Sequence, residues 1–218
     1  MNYTELYTAI EDYTQNFETE FQRNIPVFVK QAEKRIYNTV QLPALRKNVT
    51  GSATAASPYV ICPSDFLSAF SLAVIDGTGA YEYLLNKDVN FLRAAFPNPT
   101  ETGAPQYYAL FGPTSSDVNE LAFIVAPTPD SNYTVELHSY YYPISIVDAG
   151  TSWLGDNYDP ALLYASLVEA YTFMKGEADV MAFYDKKYND ALGQLKRLGD
   201  GLERGDAYRD GQAKVRVT

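Results

Sequence analysis

The feature that most constrains this chain is a change of hydrophobic period along it. Both ends carry apolar residues at helical spacing, and the middle carries short runs with strand-like alternation. Leu6, Ile10, Tyr13 and Phe17 recur at steps of four, three and four, which puts them on one helix face. Phe28, Val29, Ala32, Ile36 and Val40 repeat the pattern. It returns with Leu163, Leu167, Ala170, Tyr171 and Met174, and again with Val180, Phe183 or Tyr184, Tyr188, Ala191 or Leu192, and Leu195.

End signals bound these segments. Asn2 can N-cap the first, with Glu5 completing a capping-box pair. Asn24 is placed to cap the second, with Pro26 in its first turn and Pro43 as its stop. Asp159-Pro160 opens the third, and Gly176 ends it. The expected helices are 2–21, 25–40, 159–175 and 177–198.

From Arg46 to Ile146, glycine and proline punctuate runs rich in Tyr, Val, Phe and Leu. Strands are expected at 46–54, 58–62, 67–75, 81–85, 106–111, 119–125 and 132–141. In the last, Tyr133, Val135, Leu137 and Ser139 alternate with Thr134, Glu136, His138 and Tyr140. Val89, Leu92 and Phe96 suit a short helix between Asp88 and Pro97.

The pattern as a whole reads as an α+β fold. The N- and C-terminal segments form an antiparallel helical bundle, with an inserted small β-sandwich or barrel-like domain and an extended C-terminal tail. The expected divisions are 1–45, first half of the bundle; 46–150, β domain; 151–198, second half; and 199–218, tail. The tail holds four acids (Asp200, Glu203, Asp206, Asp210) and four bases (Arg204, Arg209, Lys214, Arg216). It ends in the alternating run Lys214-Val215-Arg216-Val217-Thr218. Two readings fit it: a disordered terminus, or a segment ordered by a partner as an added strand.

Composition removes several chemistries. With 17 Lys+Arg against 27 Asp+Glu the net charge is −10, unlike a protein that grips nucleic acid through a general basic surface. Residues 46–150 hold four bases and ten acids, so the acid excess lies mainly in the middle. One cysteine excludes a disulfide within the chain and any CxxC motif. One histidine excludes a two-histidine metal site. No secretion signal is expected from Met1-Asn2-Tyr3-Thr4-Glu5, and no run approaches the roughly 18–20 apolar residues of a membrane span. The N-x-S/T triplets at Asn2, Asn48 and Asn132 then read as chance matches.

The remaining candidates for chemistry have bland alternatives. Asp76-Gly77-Thr78-Gly79 resembles half of an aspartic-protease signature, but only one such segment exists, and Asp-Gly also marks a turn. Cys62 and His138 could act as nucleophile and base, yet Cys62 sits between Ile61 and Pro63 at a strand end, where a small buried residue is common. Glu11-Asp12 reads as a solvated helix face. The runs Tyr107-Tyr108 and Tyr140-Tyr141-Tyr142 could form a sugar-stacking platform, but alternation sends neighbours to opposite faces. No set assembles a catalytic constellation, so the expectation is no enzyme, no cofactor and no metal, with an assembly or binding role. A carbohydrate-binding or other tail structural module built on the Tyr-rich middle is the alternative.

Four segments in order carry a family resemblance. They are Phe28-Val29-Lys30-Gln31-Ala32-Glu33-Lys34-Arg35-Ile36-Tyr37 with Leu42-Pro43-Ala44-Leu45-Arg46, Pro63-Ser64-Asp65-Phe66-Leu67, Tyr133-Thr134-Val135-Glu136-Leu137 with the following tyrosines, and Trp153-Leu154-Gly155-Asp156-Asn157. Together they resemble the tailed-phage head-to-tail adaptor (connector) proteins. The resemblance implies a structural virion protein, a ring of usually twelve subunits between the portal and the tail nozzle or tube. DNA would pass through its channel during ejection without specific binding. It also implies location in the virion neck, with host cytoplasm as the place of assembly, and no membrane partner. It carries portal binding onto the tail, at Arg204, Tyr208, Arg209, Lys214, Val215, Arg216 and Val217. For a subunit interface it points to Arg35, Arg46, Tyr140, Tyr141 and Tyr142.

Overall fold

A computed structural model describes residues 1–113 and 120–203. The fold is α+β, and the chain divides into two compact units, Met1–Leu45 with Pro143–Thr218, and Arg46–Tyr142.

The first unit is helical. Its helices are α1 (Tyr3–Thr14), α2 (Thr19–Thr39), α4 (Ile146–Ala149), α5 (Trp153–Asn157), α6 (Asp159–Met174) and α7 (Ala178–Glu203). The capping box forms as expected: Asn2 accepts from the Glu5 backbone N–H, and Glu5 accepts from that of Asn2, both at 2.9 Å. The single helix expected over 2–21 is instead two. Gln15 takes a left-handed conformation (φ 50°), and Thr14 turns its hydroxyl back onto the Ile10 carbonyl at 2.7 Å. Polar residues that bond their own backbone favour such a stop.

The second helix begins earlier than Asn24. Asn24 lies inside α2 and donates its side-chain amide to the Glu20 carbonyl at 2.8 Å, and Pro26 is interior. An interior proline costs about 3 kcal/mol. Ile25, Phe28 and Val29 around it are buried, and that packing outweighs the lost bond.

Helix α6 is the centre of this unit; α1, α2, α5 and α7 all pack on it. Ala161, Leu162, Leu163, Ala165, Ser166, Leu167 and Ala170 are all buried, so the buried face is wider than the one stripe its spacing predicts; Pro160, Tyr164, Val168 and Thr172 form the remaining half-buried to exposed side. Helix α7 runs to Glu203, past the expected end at 198. Gly199, the first residue past that end, lies so close to the Gln41–Leu42 segment that a Cβ there would stand 2.9 Å from Leu42 Cδ2. Its glycine serves close approach.

The described residues of the second unit form ten strands and a short helix. They are β1 (Arg46–Ala53), β2 (Tyr59–Ile61), β3 (Phe66–Ile75), β4 (Tyr81–Tyr83), β5 (Leu85–Asn86), α3 (Val89–Ala95), β6 (Thr102–Gly103), β7 (Tyr107–Gly112), β8 (Ala122–Ala126), β9 (Thr128–Pro129) and β10 (Tyr133–Tyr141). One four-stranded sheet has the order β1-β10-β3-β4, the other β2-β8-β7-β5, and β6 pairs with β9 alone. In the first sheet Leu137 opposes both Val49 and Leu72, which sets the core register. Both sheets feed one apolar cluster, including Leu72, Val74, Val135 and Leu137 from the first and Val60, Tyr108, Phe123 and Val125 from the second. Helix α3 covers the far side of the second sheet, with Leu92 against Ala109, Ile124 and Ala126.

Candidate functional site

The candidate enzyme-like groups lie apart in separate surroundings. Cys62 is buried in the apolar cluster, and burial alone pushes its thiol up to about 12, so at neutral pH it carries almost no thiolate. His138 follows core-facing Leu137 on β10 and so points to the opposite face of the sheet. There its ring meets Phe70 edge-on, with centroids 5.3 Å apart. The Asp76 segment is a turn. The Asp76 carboxylate accepts from the Thr78 N–H (2.7 Å), the Thr78 hydroxyl (2.6 Å) and the Ala80 N–H (3.0 Å). These bonds hold its carboxyl below the usual range. Among the described residues no group of three or more His, Cys, Asp or Glu could hold a metal ion.

The tyrosine runs are split. Tyr107 packs with Phe91 and Phe96 beside α3, whereas Tyr108 enters the main cluster against Phe123. On β10 the expected alternation fails after Ser139: Ser139 and Tyr140 are both buried, at 0% and 5% exposure. Register shifts at His138/Ser139 and Tyr140/Tyr141 account for this, because a bulge lets two successive residues turn to occupied sides. No flat aromatic platform results from either run.

The residues proposed for subunit contact have partners within their own unit. Arg35 forms an ion pair with Glu169 of α6 and lies over the Tyr188 ring, 5.9 Å from its centroid. Arg46 lies between two rings, 4.0 Å from Phe70 and 4.9 Å from Tyr140, and donates to the Tyr140 hydroxyl. Lys47 pairs with Asp65 and sits over Tyr141. Tyr142 donates its backbone N–H to the Asp65 carbonyl at 2.9 Å. Arg46, Phe70, His138 and Tyr140 thus form one linked cation–aromatic group on the first sheet, and Lys47 with Asp65 and Tyr141 forms a second. Arg204, Tyr208, Arg209, Lys214, Val215, Arg216 and Val217 lie outside the described residues.

A feature that local sequence pattern did not reveal is a cavity of about 700 Å³ in the β unit. It opens between β1 and β2, each the terminal strand of its own sheet. Val60, Leu72, Phe123, Val135 and Leu137 give it an apolar floor. Thr50, Ser52, Thr54 and Ser57 bring hydroxyls, and none of the residues lining it is charged. Only the strand order reveals it, because two strands distant from each other in pairing become neighbours at one side.

Tyrosines in the helical unit also serve internal packing. Tyr184 is surrounded by the rings of Tyr13, Tyr164, Tyr171 and Phe183. Burial, with the neighbouring tyrosines, pushes its hydroxyl up to about 12. No helix among the described residues is long and apolar enough to cross a membrane.

A family model described as SU10 adaptor protein covers residues 1–216. No curated protein matches the chain.

Proposed function

Given that the chain belongs to the SU10 adaptor protein family, we propose that it is the repeating subunit of a ring that joins the portal of a phage head to the tail nozzle or tube. The observation that carries this reading is the extent of the match, which runs from the first helix into the last residues of the chain. A structural adaptor of a phage is what the family is; the ring, its twelvefold count, its two docking partners and its place around the DNA channel are our extension.

Physical properties support the extension. A cyclic ring needs two unlike faces on each subunit, so that each copy binds the next head to tail. A helical frame with a β domain inserted in it supplies surfaces of different chemistry. The net charge of −10 suits a wall past which DNA must move. Each phosphate contact per subunit is multiplied around a ring, and a basic lumen would hold the DNA. Acidic residues on the channel face avoid that.

The experiment is assembly on purified portal rings. The full chain should cosediment with portals and add a ring of density beneath them. A chain truncated after Glu203, which keeps α7 whole, tests the part played by the tail. Equal binding by the truncated chain would remove the tail from the portal contact. Failure of the full chain to bind would remove the adaptor reading of this protein.

A further inference from the structure

We propose that the C-terminal run Lys214–Thr218 of one copy enters the cavity between β1 and β2 of a neighbouring copy and adds to the β1 edge as a strand. The neighbour is supplied by the ring of the preceding section, so the proposal rests on that reading.

The acceptor is an unguarded sheet edge. Among the described residues, strand β1 pairs with β10 on one side only. Over Asn48–Ala53 it presents Asn-Val-Thr-Gly-Ser-Ala, with no charge and no proline, and Asn48, Thr50, Gly51 and Ser52 are exposed. Natural proteins blunt such edges, because the free N–H and C=O groups template pairing with another chain. The edge at the far side of the same sheet is blunted: β4 places the exposed Glu82 at its centre. The β1 edge also borders a deep apolar floor, which a two-sided strand addition needs for its side chains.

The donor matches this acceptor in three respects. Val215 and Val217 stand two apart, so in an extended segment both turn to one face, toward Val60, Phe123 and Val135. Lys214, Arg216 and Thr218 turn to the other. The run has two bases and no acid, and residues 46–142, which build the acceptor unit, hold nine acids against four bases. Charge therefore favours the encounter. Fifteen residues follow Glu203, and in extended form they reach about 50 Å. A tail in a neighbour's slot is a heterologous contact, of the kind that repeats around a closed ring. The family resemblance carries portal binding onto the whole tail; the proposal reassigns Lys214, Val215, Arg216 and Val217 to the neighbour's cavity and leaves Arg204, Tyr208 and Arg209 to the portal.

The test uses two variants of the full chain, Ser52→Cys and Val217→Cys, mixed, assembled on portals and oxidised. Ser52 is an exposed β1 residue, so its substitution spares the core, and both variants also carry Cys62→Ala, because Cys62 lines the same cavity. The expected result is a disulfide between positions 52 and 217 of different copies. It should form at least about tenfold faster than the same link from Tyr83→Cys on β4, because a docked tail has a high effective concentration at position 52. A synthetic peptide of residues 209–218 should suppress the link, and a scrambled peptide should not.

Rings that form with no preference for position 52 over 83 would overturn the proposal. So would links confined to tail–tail or tail–portal pairs. A link found only within one chain, in the double variant, would also overturn the exchange between copies. If the wild-type chain itself forms no ring, the failure is that of the ring reading.

Discussion

The helical unit and the β unit differ in what each leaves open. In the helical unit, α6 is enclosed by four other helices, and Phe21, Ile25, Ile36, Leu154 and Leu162 are almost completely buried. The backbone bonds of a helix are made within the segment itself. The β unit has a core of its own, yet its outer strands leave two sheet edges and an apolar cavity between them. A closed core around one central helix suits a frame, and open sheet edges suit contact with another chain.

Matched core truncations test that contrast most strongly. Leu162→Ala in α6 removes a side chain packed on all sides and should cost about 4 kcal/mol, read from urea unfolding. Leu137→Ala lies on the wall of the cavity, where packing is already incomplete, and should cost about 2 kcal/mol. Equal losses would mean that the cavity wall is as tightly packed as the helical core.

Glu33 gives the next largest effect. It is a buried acid on α2, 3% exposed, and accepts from the Ile146 backbone N–H at 2.9 Å. Glu33→Ala strands that donor and should cost about 1–3 kcal/mol. Burial pushes the Glu33 carboxyl above the ordinary glutamate range, against the opposing pull of its bonds to Ile146 and Ser145. The folded state therefore keeps this proton to a higher pH than the unfolded chain. Its favourable contribution is complete below the ordinary glutamate value and is lost as pH rises through the raised one. In Tm scans from about pH 4 to pH 7, Glu33→Gln should flatten that part of the profile. An unchanged slope would contradict the assignment.

How much of this was legible in the sequence depends on the range of the interaction. The Asn2–Glu5 cap, the Asp76 turn and the short helix α3 are set by residues within a few positions, and spacing alone predicts them. Pro26 misled because local cost was outweighed by long-range burial, and the end of α7 was set too early because Gly199 is tolerated inside the helix for its close approach to Leu42. The helices α4 and α5 are too short for periodicity to register. Among the proposed interface residues, the sequence named Arg46, Tyr140 and Tyr141 but not Phe70, the ring against which Arg46 stacks. The cavity could not be named, because it depends on which strands end each sheet.

Two smaller effects complete the comparison. Asn2→Ala should cost about 1 kcal/mol by removing the cap of α1, read from thermal melts. Lys30→Ala breaks a pair with Asp148 at 2.9 Å, but both side chains are about half exposed, so the loss should lie between about 0 and 1 kcal/mol and shrink with added salt.

The central claim is that this chain forms a ring between a portal and a tail, and imaging a mixture of the full chain with purified portal rings tests it most directly. Portals should carry an added ring of density on the tail-facing side, with the same rotational symmetry in every particle. Bare portals beside free, unassembled chains would contradict it.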